Sequence, residues 1–128
     1  MLQDSKVLVL NAIRENKEHD PKRPYVGQIL YSKCGYDCQL VTFYQVIKVT
    51  KCFVWVKELK AKITENVDGY GQQVMKRPIK NDFYYKNNKS LRRKIYKDTF
   101  NGAYAISIST YEIAYPWKGN DLFEDSLD

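Results

Sequence analysis

Apolar and polar positions alternate most regularly late in the chain, where Tyr104, Ile106 and Ile108 interleave with Ala105, Ser107 and Ser109. A period of two is the mark of a strand with one buried face, and Asn101-Gly102 before it suits a two-residue hairpin turn. The same logic predicts a strand over Tyr25 to Ser32 and another over Thr42 to Val49. The latter carries Phe43, Ile47 and Val49 on one face and Tyr44 and Val46 on the other. Phe53-Val54-Trp55-Val56 is apolar on both faces, which predicts a strand covered by the barrel interior and by something outside. Further strands are expected at Val74 to Lys80, with Pro78 pushing it to an edge or to its end, and at Leu91 to Lys97. Asp68-Gly69 within Asn66 to Gly71 marks a reversal.

Before these strands, Val9, Ala12 and Ile13 have helical spacing behind Asp4 or Ser5 as a cap, so residues 1–18 are expected to form a short helix, the natural outer cover for Phe53 to Val56. His19 to Pro24, with two prolines among charges, reads as a linker. The expectation is a mainly β (or α+β) single domain over residues 1–118, a small closed or half-closed antiparallel barrel. Ile29, Phe43, Ile47, Ile106 and Ile108 are its expected core. Residues 119–128 read as an acidic, flexible tail.

Charge changes the picture more than composition does. The formal net charge is +6 over 128 residues, yet the last ten hold Asp121, Glu124, Asp125 and Asp128 with no base. Between Lys80 and Lys97 the imbalance reverses, with seven cations against Asp82 alone. Phe83, Tyr84, Tyr85 and Tyr96 are interleaved there with Lys86, Lys89, Arg92, Arg93, Lys94 and Lys97. Cations neutralise phosphates and aromatic rings stack on unpaired bases, so this segment is the candidate nucleic-acid surface. Its tame reading is a solvated lysine-rich strand and loop. Alternation puts Arg92 and Lys94 on one strand face and Arg93 on the other.

Other chemistry is thinner. The three cysteines suit a reducing cytoplasm better than a disulfide framework. Cys34, Cys38 and His19 do not make a paired metal-ligand set, and Cys52 reads as a buried strand residue. Glu58-Leu59-Lys60 with Asp37 upstream has the residue types of a metal-dependent nuclease, a triplet that arises easily in a lysine-rich chain. No apolar run reaches the roughly 20 residues of a membrane span, and no secretory leader is legible. No cofactor is expected.

Val26-Gly27-Gln28-Ile29-Leu30-Tyr31-Ser32, Gly35-Tyr36-Asp37 and Phe43-Tyr44-Gln45-Val46, with Tyr115-Pro116-Trp117-Lys118-Gly119 at the close, resemble a group of uncharacterised small phage and mobile-element proteins. Cys34 stands where that group has Trp, and Cys38-Gln39-Leu40 replaces Gln-Thr-Asn. The resemblance implies a phage-like origin and an SH3-like barrel, and it carries no activity. The expected function is a non-enzymatic binding module that contacts nucleic acid or a host nucleic-acid-processing protein. A protein-binding inhibitor of host defence, anti-CRISPR-like, is the alternative, and a nuclease a remote third.

Overall fold

The computed structural model describes residues 23–34, 39–84, 90–97 and 103–126, and the expected N-terminal helix lies outside them. The described residues form eight strands: β1 (Ile29–Cys34), β2 (Leu40–Val49), β3 (Phe53–Asn66), β4 (Gln73–Phe83), β5 (Leu91–Lys97), β6 (Tyr104–Ser109), β7 (Glu112–Pro116) and β8 (Leu122–Asp125). All ladders are antiparallel. The order β2-β1-β7-β6-β5-β3 closes through β2–β3 pairing into a six-stranded barrel, so the protein is mainly β with a small barrel at its centre. Closure leaves no open edge around that ring.

Alternation decides which side chains fill the barrel. Leu30, Tyr44, Val46, Val54, Val56, Tyr104, Ile106, Ile108 and Ala114 form the interior, with Leu91 and Ile95 packed against them. The opposite face of β1, β2 and β3 builds a second core from Val41, Phe43 and Leu59 with Leu122 of β8, flanked by Ile29, Tyr31, Ala61, Phe83 and Trp117. Phe43 meets Trp117 edge-on at 6.2 Å between centroids. β4 and β8 cover this second core. β8 pairs with Gln73 to Lys76, and Gln39 and Asp125 exchange backbone hydrogen bonds of 2.7 and 2.9 Å that tie β8 back to the start of β2.

Four expectations change here. Residues 122–125, expected in a flexible tail, form strand β8, because Leu122 has a core to enter and the backbone groups of Leu122 to Asp125 find partners on β4. Ile47 is only half-buried: a bulge between Val46 and Lys48 breaks the period of two at that residue. Cys52 is exposed, because the turn between β2 and β3 includes it. Ile29 lies in the second core and is half-buried, while Phe43, Ile106 and Ile108 are buried as expected.

Pro78 fits its strand for a local reason. It lies opposite Ala61 of β3, and β8 pairs no further along β4 than Lys76, so the missing N–H faces no described ladder partner. Beyond it the register jumps, Leu59 pairing with Phe83 while Ala61 pairs with Pro78. Asn81 in that excursion has φ 65°, a left-handed conformation that asparagine tolerates better than most residues. The buried Gln45 side chain holds it at both ends, donating to Asn81 Oδ1 at 2.7 Å and accepting from its backbone N–H at 2.8 Å. At the β3–β4 turn the carboxylate of Asp68 accepts the Tyr70 N–H at 2.9 Å, and Gly69 and Gly71 supply the positive φ the reversal needs.

Candidate nucleic-acid interface

The site grows from one strand face. Phe53, Trp55 and Lys57 share the outer face of β3 with Leu59 and Ala61, two residues apart each time. Leu59 and Ala61 are covered by the second core, whereas Phe53 and Trp55 stand half-buried on the outer wall of the barrel. β2 flanks this stretch on one side and β5 on the other, with Lys48 opposite Trp55, Trp55 opposite Arg92 and Phe53 opposite Lys94. An aromatic stripe therefore runs between Lys48 on the β2 side and Arg92 and Lys94 on the β5 side.

The bulge in β2 makes this arrangement possible. With regular pairing Ile47 would oppose Trp55; the extra residue puts Lys48 there, with its ammonium 4.6 Å from the Trp55 ring centroid. The Arg92 guanidinium lies 4.8 Å from the Phe53 centroid, Lys94 Nζ lies 5.5 Å from that of Tyr96, and Lys57 Nζ lies 5.6 Å from that of Phe83. Among the described residues none of Lys48, Lys57, Arg92 and Lys94 has a carboxylate partner; the ion pairs there are Lys76–Glu124 and Arg77–Asp121. These four charges rest on rings and remain available to an anion.

Only part of the segment expected from the sequence meets on this face. Arg92 and Lys94 are on it, with Tyr96 beside them and about half exposed. Arg93 turns the other way, as alternation requires: its Nε donates to the Ile108 carbonyl at 3.0 Å and Nη1 to that of Arg92 at 2.8 Å. Lys97 has the parity of Arg93 and is exposed at the strand end, opposite Tyr104. Tyr84 follows β4, its backbone N–H bonded to the Glu58 carbonyl at 3.0 Å. Tyr85, Lys86 and Lys89 lie outside the described residues. Sequence reading missed Lys48, Phe53, Trp55 and Lys57. The apolar outer positions of Phe53 and Trp55 were the available signal, since a strand apolar on both faces had to meet something outside.

The carboxylates lie elsewhere. Inside the barrel Ser32 Oγ donates to Glu112 Oε2 at 2.6 Å and the Tyr44 hydroxyl donates to the same oxygen at 2.5 Å. Burial, then the hydrogen bond to Glu112 and its negative charge, push the Tyr44 hydroxyl well above the usual tyrosine pKa. Glu58, opposite Tyr44, is raised first by burial and then by Glu112, with Lys76 opposing the shift. Elsewhere in the interior the Tyr104 hydroxyl donates to Gln28 Oε1. Ser32, Tyr44 and Glu112, and Tyr104 with Gln28, satisfy one another as a polar seam in the core. Among the described residues no three His, Cys, Asp or Glu side chains converge as a metal-ligand set, and Asp37, Cys38 and His19 lie outside them.

The chain matches no protein-family model, and no curated protein or solved structure is significantly similar to it.

Proposed function

We propose that this protein is a non-enzymatic nucleic-acid-binding module that takes its ligand on the outer face of β2, β3 and β5. The observation that carries the reading is a group of four cations on β2, β3 and β5 without carboxylate partners among the described residues, each over an aromatic ring. Such a face offers phosphates charge and offers bases a flat apolar surface in one place. A cation over an exposed ring gains about 0.5–1 kcal/mol, while a base stacked on a ring gains about 1–3 kcal/mol. Stacking therefore wins, and the displaced cation moves on its flexible stem to a phosphate. The motif resemblance supports placing this module in a phage or mobile element.

Fluorescence anisotropy of a labelled oligonucleotide across a salt series tests the reading. If the four cations each neutralise one phosphate, log Kd should rise with log salt at a slope of about 3 for a single strand. No binding at low salt would refute the reading.

A further inference from the structure

We infer that the occupant of the β2–β3–β5 face is a single strand, with its bases on the Phe53–Trp55 stripe and its phosphates along the flanking cations; this rests on the nucleic-acid reading above and narrows it. Phe53 and Trp55 stand two residues apart on one face of β3. At strand rise they are roughly 7 Å apart, about twice the 3.4 Å separation of stacked bases in a duplex. Neighbouring bases of a duplex cannot each lie on one of these rings, and their faces are already covered by their neighbours. An extended single strand frees both faces and can match the wider spacing.

The cations fit the same ligand. Lys48 on β2 and Arg92 on β5 flank Trp55 in one cross-strand row, and Lys94 flanks Phe53 in the next. Strand spacing puts the two flanks roughly 10 Å apart, so a backbone following Arg92 and Lys94 on β5 keeps its bases over the stripe. Tyr96 extends the aromatic surface along β5 and is 52% exposed. A duplex would use the cations and leave the rings unused.

The test uses the full chain with oligo(dT), oligo(U) and a mixed-sequence duplex, each about 12 residues long, within the usual range of site sizes. Intrinsic tryptophan emission and anisotropy are read together. Either single strand should bind about tenfold more tightly than the duplex at equal salt and should quench emission. Trp55→Phe should keep affinity within about threefold and lose most of the quench, since Trp117 packs on Phe43 in the second core. Trp55→Leu should weaken single-strand binding about tenfold and leave duplex binding unchanged. Duplex binding as tight as single-strand binding, with both insensitive to Trp55→Leu, would overturn this inference and leave the nucleic-acid reading in place. Binding of neither ligand at low salt would remove both.

Discussion

The outer face of β3 changes character at Lys57. On the Leu59 side it is closed: β4 and β8 cover it, and two of the cations that β4 contributes, Lys76 and Arg77, are neutralised there. Lys76 Nζ lies 3.1 Å from Glu124 Oε1, and Arg77 Nε lies 3.2 Å from Asp121 Oδ1. Glu124 also accepts the Val41 backbone N–H at 3.0 Å, so this carboxylate links β8 to both β4 and β2. On the Phe53 side no described acid approaches the cations, and aromatic rings hold them instead. The same residue types on one strand face thus serve structure in one half and remain available for binding in the other. What separates the halves is the location of the C-terminal acids. Asp121 and Glu124 pair with cations of β4 and not with Lys48, Arg92 or Lys94.

Removing β8 by ending the chain at Asn120 should have the largest effect. It deletes Leu122 from the second core together with the β4–β8 ladder and both ion pairs. The stability loss should exceed the about 2–5 kcal/mol of a single buried Leu→Ala change, read as a fall in the urea midpoint. An unchanged midpoint with tighter oligonucleotide binding would instead mean that the acids compete for the open face.

Glu124→Ala is the finer version of that test. It leaves Lys76 and the Val41 N–H without their shared acceptor in a partly buried place, at a cost of about 1–3 kcal/mol. A loss well under that in chemical denaturation would demote the pair to a surface contact.

Much of the two cores was legible in the sequence and much of the open face was not, for the same reason. Phe43, Ile106 and Ile108 announce their burial by local alternation, and Asp68-Gly69 announces its turn by chemistry. The bulge at Ile47 leaves no local trace, and it alone decides that Lys48 meets Trp55. Pairing of β3 with β5 joins segments nearly forty residues apart, so the sequence shows Arg92 and Phe53 separately and cannot show them stacked. The tail was misread because its acids dominate its composition, while the single Leu122 and an available strand decide its fate.

Glu58, opposite Tyr44 of the polar seam, gives a pH test of the same architecture. Glu58 is raised in the folded state, chiefly by burial, so folding favours its protonated form. Its stabilising contribution is fully present below the unfolded carboxylate pKa and is lost as pH rises through the folded value. Glu58→Gln should therefore be more stable than wild type near neutral pH, with the difference shrinking on acidification. Parallel thermal melts at descending pH check this, and a constant difference would contradict it.

Smallest of all should be the stability change in the open half. Lys48→Gln and Arg92→Gln, which remove no carboxylate contact, should each cost no more than the about 0.5–1 kcal/mol of a cation resting on an exposed ring. A larger loss by chemical denaturation would make those stacked cations structural supports of the barrel wall.

The division between an open and a neutralised half is tested most directly by comparing two double variants in one salt titration of single-strand affinity. Lys48→Gln with Arg92→Gln should flatten the log–log slope by about 1.4, the loss of two neutralised phosphates. Lys76→Gln with Arg77→Gln, checked for retained β structure by circular dichroism, should leave the slope at the wild-type value. Equal flattening by both pairs, or flattening by the second pair alone, would contradict the account.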